Sequence, residues 1–379
     1  MRACDACLRR SDLIAAVSGR LDVEWRRRSA PAGVLSLPDE ALVALDGRGV
    51  AARRFARFSA DKARSTLAAA RLTAICRCDP AYPERLRELA DPPAVIHVAG
   101  DPAALAGEES VAIVGARRGT PYGLEVARAI GRGLSTRGVP VVSGLAMGVD
   151  SAAHVGTLDG GSPPVAVLAG GADVPYPPSR RRLYERIAER GCVVSEMPPG
   201  FDAYRWSFVA RNRIIAGLAS LTVVAEAAER SGSLTTADFA EQLGRPVGAV
   251  PGPVTSRFSA GTNALLAAGA VVIRGTRDVL DLLFGAAPDD RADAEDATSH
   301  AQSHPPGERA APRAAMPNEP RLRALLDAIE RGHGSLAELA TQAAETHQVL
   351  QDLTDLELRG LVRREFGGRY VRALGDGPW

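Results

Sequence analysis

Four stretches of this chain concentrate guanidinium groups, hydroxyls and glycine backbone: "GARRGTPYG" (115–123), "YPPSRRR" (176–182), "RNRIIAGLAS" (211–220) and "SGSLTTA" (231–237). The chemistry these groups suit is anion binding. Gly115 lets a ligand approach the backbone, and Arg117 and Arg118 supply charge. Arg180, Arg181 and Arg182 stand together at an expected helix start, where the positive end of the dipole disfavours cations. Arg211, Asn212 and Arg213 are placed in the same way, at the head of an apolar helix. Ser231, Gly232, Ser233, Thr235 and Thr236 offer more hydroxyls and N–H groups than capping alone consumes. In helical period Arg211 shares a stripe with Ile214, Ile215 and Leu218, so it is expected to point inward under strand ends. Arg213, about 200° around the helix, is expected on another face in a structural role.

Other groupings allow other chemistry. "SGLAMGVDSAAH" (143–154) puts His154 one helical turn after Asp150; with no nucleophile in a fixed relation to them, a structural hydrogen bond is expected. Glu226, with Ser231, is the nearest candidate for a catalytic carboxylate. "FDAYRWSF" (201–208) holds Phe201, Tyr204, Trp206 and Phe208 directly before the arginine pair. Aromatics beside arginines suit stacked bases and phosphates; packing against the sheet is the alternative. Cys4-x-x-Cys7 and Cys76-x-Cys78 could make one four-sulfur zinc site. The second spacing is tighter than the usual ligand pattern and no paired histidines support it. Reduced thiols without metal are therefore the expectation, with Cys192 in the core.

These residues must be positioned by regular elements, and 111–285 supplies them. Candidate strands at 111–116, 139–144, 164–171, 192–197, 221–227, 246–252 and 270–275 are short, β-branched and almost continuously apolar, as parallel strands covered on both faces should be. Helical segments, including 122–138, 179–191 and 233–244, alternate with them. The expectation is an α/β fold, a doubly wound Rossmann-like and mostly parallel sheet, with the motifs above on its C-terminal rim. Residues 1–105 read as a helical N-terminal domain of SAM or helix-hairpin-helix type, with 53–70 as one helix. Residues 106–285 form the sheet domain, 286–317 a disordered linker, and 318–379 a winged helix. In that last module the stripes are Leu322, Leu325, Leu326 and Ile329, then Leu336 and Leu339, then Val349, Leu350, Leu353, Leu356 and Leu358, followed by a hairpin at Gly367–Gly368. Its third helix is acidic, with Glu345, Asp352, Asp355 and Glu357 against Arg359, so a contact with protein, or docking on its own chain, is expected rather than a grip on DNA.

Composition bounds the partners. The chain has 379 residues, is 46% hydrophobic and only 4% aromatic, and carries a net charge of +1. No global field favours a polyanion, so a local patch in 111–285, where the basic surplus lies, must do so. Lys62 is the only lysine, so the positive groups are almost all planar, bidentate donors. No run reaches the ~18 apolar residues of a membrane span, and the first residues lack a signal-peptide core. A cytoplasmic protein without membrane contact is expected.

The stretches "VAIVGARRGTPYG", "VVSGLAMGVDSAAH", "VAVLAGGADVPYP", "VVSEMPPG", "RNRIIAGLASLTVVAEAAERSGSLTTADFAEQLGRPVGAVPG" and "GTNALLAAGA", in this order over 111–270, resemble the DNA-processing protein A family (DprA, also called Smf). The resemblance implies a Rossmann-like domain that binds single-stranded DNA in a basic pocket, without catalysis or cofactor. It also implies a homodimer that loads the RecA recombinase onto incoming strands during natural transformation. Arg117 matches an arginine expected to contact DNA; Ala116 stands where the family has serine. Pro178 and Arg180 stand where many members have lysine and asparagine, and Arg180, Arg181 or Arg182 could supply the missing charge. The DNA-binding set so implied is Gly115, Arg117, Arg118, Arg180, Arg181, Arg211, Asn212, Arg213, Ser231, Gly232 and Ser233, with Leu265 and Leu266 at the dimer interface. Two readings compete with it. One is an enzyme acting on a nucleotide or phosphoribosyl substrate, and the other a scaffold with a vestigial pocket.

Overall fold

The computed structural model describes residues 3–27, 32–47, 49–107, 109–285, 319–330, 339, 346–359, 361–364 and 370–372. The chain divides into two compact units, Met1–Asp290 and Arg291–Trp379.

The first unit is built on a nine-stranded sheet: β1 (Thr73–Cys76), β2 (Val95–Gly100), β3 (Val111–Gly115), β4 (Val141–Ser143), β5 (Val165–Val167), β6 (Cys192–Ser195), β7 (Leu221–Glu226), β8 (Val247–Ala249) and β9 (Val271–Val272). Their order is β1-β2-β6-β5-β4-β3-β7-β8-β9. From β6 to β9 every neighbouring pair is parallel; β1 with β2 and β2 with β6 are antiparallel. The chain steps outward from β3 to β6, then returns to β7 on the other side of β3. That reversal is the topological switch point beside which such sheets bind ligands. All seven expected strands are present. Strands β1 and β2 are additional, and they come from the segment expected to be a helical N-terminal domain; its residues 73–100 complete the sheet edge.

Both faces are covered, which is why the strands read as unbroken apolar runs. Ala112 and Val114 pack with Ile214, Ile215 and Leu218 of helix Arg205–Leu218 and with Ala237 and Ala240 of helix Leu234–Gln242. Val111 and Ile113 face the other way, onto Ala127, Ile130 and Leu134 of helix Pro121–Thr136 and Val149 and Ala153 of helix Val149–Gly160. Those two helices touch closely: a Cβ at Gly131 would lie 2.5 Å from the Ala153 carbonyl oxygen. The first helix, Asp5–Arg27, lays Leu13, Ile14, Val17 and Leu21 against Trp206, Ala210 and Met197. The single helix expected over 53–70 is two, Val50–Ala56 and Ala60–Ala69. Ser59 breaks it, its side chain accepting the Lys62 N–H at 3.3 Å as an N-cap.

In the second unit, helices Pro320–Glu330 and Thr346–Leu358 and the antiparallel pair β10 (Val362–Arg364) and β11 (Tyr370–Arg372) enclose Leu322, Leu325, Leu326, Ile329, Val349, Leu353 and Leu356. Leu350 is exposed. Leu336, Glu345, the hairpin tip at Gly367–Gly368 and the linker 286–317 lie outside the described residues, as does the side chain of Leu358.

Candidate nucleic-acid interface

Helix Arg205–Leu218 carries the key cations, and it begins six residues before Arg211. Ser207 ties down its first turn: its hydroxyl accepts the Tyr204 N–H at 3.0 Å, and its own N–H donates to the Tyr204 carbonyl at 3.2 Å. Arg211 and Arg213 are therefore in the helix interior. The expected clash with the dipole does not arise, and the case for an anion at this site rests on what each guanidinium touches.

Arg211 points inward beneath the ends of β4 and β5. It is 6% exposed, and its Nη1 donates to the carbonyls of Gly144 at 2.7 Å and Val167 at 2.6 Å. Its Nε is buried without a partner, and among the described residues no carboxylate lies within ion-pair distance of it. Burial pulls its pKa down to about 10, with Asp150 opposing and Arg117 adding to the shift. Gly144 is required here, because a side chain at that position would occupy the space of the guanidinium. Arg211, Arg117, Gly144, Ala146, Met147, Leu168, Ala169, Tyr176, Pro177 and Phe208 line one pocket of about 70 Å³. Clefts that bury a drug-sized ligand hold roughly 300–1,000 Å³, so this pocket suits part of an extended ligand lying on the surface.

The mouth is cationic and aromatic. The Arg117 guanidinium carbon stands 5.3 Å from the centre of the Phe208 ring, and Phe208 meets Tyr176 at 5.2 Å in a tilted pair. Arg117 is exposed, Tyr176 is 44% exposed and Met147 is 42% exposed. Of the four clustered aromatics, Phe208 reaches the pocket, whereas Trp206 is buried against the N-terminal helices. Tyr176 and Met147 were not singled out in sequence; their position just after β5 and β4 on the rim was the available signal.

Arg213 is turned the opposite way and leaves the candidate set. It is 2% exposed and pairs with Asp91 at 2.9 Å and Glu196 at 2.6 Å. Burial opposes its charge, but the two carboxylates outweigh burial and raise its pKa. Asn212 donates to the Gly232 carbonyl at 3.0 Å and to Thr235 Oγ1 at 2.7 Å, tying its helix to the 231–236 loop. In that loop the Ser231 and Ser233 hydroxyls meet at 2.7 Å. Gly115 is needed for packing, since a Cβ would lie 2.8 Å from both the Glu226 carbonyl oxygen and Val149 Cγ2. Arg118 and Arg181 are exposed on the rim, and Arg180 is half-buried, in sequence between the pocket-lining Pro177 and Arg181.

The other chemistry foreseen in sequence is rearranged. Asp150 and His154 do not bond to each other: Asp150 accepts the N–H groups of Gly144 at 3.2 Å and Ala146 at 3.4 Å, bracing the loop that holds Arg211. Burial raises the Asp150 pKa, against the pull of Arg211. His154 is fully buried, and burial holds its pKa down to about 3. Both oxygens of Glu226 are taken by Thr120, one by the backbone N–H at 2.7 Å and one by the hydroxyl at 2.6 Å. That carboxylate pins the strand–helix turn at 115–120. Leu265 and Leu266 are half-buried, Leu265 packing on the core, next to the exposed Val271 and Val272 of the edge strand β9. Cys4, Cys7, Cys76 and Cys78 gather in one cluster, the grouping a single four-sulfur site would need, and Cys192 is in the sheet core as expected.

A buried guanidinium with no carboxylate in ion-pair contact among the described residues, below an arginine–aromatic mouth at the rim of a doubly wound sheet, narrows the comparison with known proteins. The family of DNA recombination-mediator protein A matches residues 73–284. The chain belongs to this family. A DNA processing protein DprA of Mycobacterium tuberculosis is 47% identical over 174 residues, 46% of this chain and 45% of that relative. The match thus spans less than half of that relative's length. The X-ray structure of DprA from Streptococcus pneumoniae superposes with a TM-score of 0.60 at 31% identity, over 74% of this chain and 98% of that one. A DprA structure from Helicobacter pylori, described for its single-stranded DNA binding mode, superposes with a TM-score of 0.52 at 30% identity, over 56% of this chain and 95% of that one. Among the described residues no helix is long and apolar enough to cross a membrane.

Proposed function

We propose that this chain is a non-catalytic recombination mediator that holds single-stranded DNA on the rim around Arg211, protects it, and passes it to a RecA recombinase in the cytoplasm. The observation that carries the reading is Arg211, a buried cation whose acceptors are two carbonyls and whose nearest carboxylate, Asp150, stays beyond ion-pair distance; a phosphate is the direct charge partner the pocket can take. Arg117 supplies a second phosphate contact while resting on Phe208. Phe208 and Tyr176 supply ring faces for bases, a combination that tolerates any sequence. Arg118, Arg180 and Arg181 extend the track along the rim. The family and the Helicobacter pylori relative's binding mode support the same reading. The open edge of β9, with Leu265 and Leu266 beside it, supports a homodimer in which a second copy covers Val271 and Val272. The second unit acts through protein contacts: Asp352 and Asp355 make its helix Thr346–Leu358 acidic, and Arg359 is already paired with Asp355 and Glu319.

Salt-titrated binding of oligo-dT and of duplex DNA, by wild type, Arg117→Ala and Arg211→Ala, tests the reading. Wild type should prefer oligo-dT, with affinity falling steeply as salt rises. Each variant should lose about tenfold or more, ~1.4 kcal/mol, and Arg117→Ala should flatten the salt slope by about 0.7. Equal and weak binding of both DNAs by all three proteins would refute it.

A further inference from the structure

The cysteine cluster lies outside the DNA site and serves no step of the proposed function. Cys4 and Cys7 flank the start of helix Asp5–Arg27; Cys76 ends β1 and Cys78 follows in the turn. Some seventy residues of chain separate the two pairs. Their four sulfurs nevertheless lie within 4.8 Å of one another. The spacings explain how. Residues three apart at a helix start share one face. Cys76 ends β1, and the turn that follows brings Cys78 back beside it, so the tight Cys76-x-Cys78 step is met by a turn.

We propose that Cys4, Cys7, Cys76 and Cys78 form a tetrahedral structural zinc site that fastens the first helix to the edge of the sheet. Zinc–sulfur bonds of about 2.3 Å in a tetrahedron put sulfurs about 3.8 Å apart. Cys7 Sγ and Cys78 Sγ are 3.8 Å apart, far beyond a disulfide bond of about 2.0 Å. The Cys4 backbone N–H donates to Cys76 Sγ at 3.4 Å, the kind of outer hydrogen bond that steadies a thiolate ligand. Cys7 and Cys76 are 4% and 2% exposed, Cys4 is half-buried and Cys78 exposed. Four protein ligands complete the coordination and leave no open position, which marks a structural rather than a catalytic zinc. An all-thiolate set also selects a soft metal over magnesium or calcium. Binding replaces up to four thiol protons with one divalent cation, so protons are released as the metal enters. The clamp acts at a distance: the same helix carries Leu13, Ile14, Val17 and Leu21, which support Trp206 and Ala210 on the helix of Arg211.

The test uses the full chain, purified without chelator under reducing conditions. Elemental analysis should find one zinc per chain, released when a mercurial titrates the thiols. Refolding with cobalt should give the visible bands of tetrahedral thiolate coordination. Cys4→Ser/Cys78→Ser should lower zinc content about fivefold or more and lower the melting temperature, whereas Cys192→Ser should keep the zinc. The mercurial release needs no variant to fold. Metal-free wild type with free or disulfide-linked cysteines, iron in place of zinc, or zinc retained by the folded double variant would each overturn the proposal.

Discussion

Helix Arg205–Leu218 separates two regions that treat the same group in opposite ways. Toward Asp91 and Glu196, Arg213 is buried with two carboxylates and its charge is balanced inside the fold. Toward the rim, Arg211 is buried almost as deeply, bonded to the carbonyls of Gly144 and Val167, with Asp150 acting on it beyond ion-pair distance. Burying a cation is costly unless it is paired. The first region meets that cost with protein groups and is rigid structure. The second leaves it partly unmet, and a ligand that brings negative charge gains what the fold withheld. A buried arginine is thus a structural or a binding element according to its partners, and burial by itself does not say which.

The comparison breaks most visibly in stability. Arg213→Ala should cost about 3–5 kcal/mol, because it strands two buried carboxylates; chemical denaturation should show the shift, with oligo-dT affinity unchanged in protein that remains folded. Acid should come next. His97 is pushed down to about 4 and His154 to about 3 by burial, so between those values and their ordinary 6.5 the unfolded chain binds more protons. Stability should fall as pH drops from about 6.5 toward 4, and these two rings should add little further loss below about 3. A flat profile across that window would mean that these rings are solvated. Arg211→Ala should cost less than half of the Arg213 loss, roughly 1–2 kcal/mol for two carbonyls left without a donor, while removing DNA affinity. Should Arg211→Ala destabilise as much as Arg213→Ala, the contrast between the two flanks fails. The smallest effect is expected from deleting 318–379, which should change single-strand affinity by less than tenfold, read in the same salt titration.

The fold was legible because parallel strands buried on both faces announce themselves as short β-branched runs, and all seven in 111–285 did. Strands β1 and β2 escaped notice: they lie outside the strand–helix alternation as an antiparallel edge, and β2 holds His97, which interrupts the apolar pattern. Its ring meets the Ser11 hydroxyl at 3.1 Å, a contact across 86 residues. At the site, periodicity placed Arg211 under the strand ends. Arg211 nevertheless does not stand at a helix start, because the helix begins upstream at Arg205, where Ser207 holds the Tyr204 N–H and no standard cap residue precedes it. The Asp150–His154 spacing suggested a pair, yet backbone N–H groups of the 144–146 loop compete for the carboxylate and win.

Local pattern alone determined the seven parallel strands and the rim that carries Arg117 and Arg211, because hydrophobic period and strand–helix alternation are properties of neighbouring residues. Tertiary structure alone decided which arginine is neutralised, that Glu226 belongs to Thr120, and that four cysteines about seventy residues apart meet. The reason is that charge balance and metal-ligand geometry depend on partners far away in the chain, and only the folded backbone sets those distances.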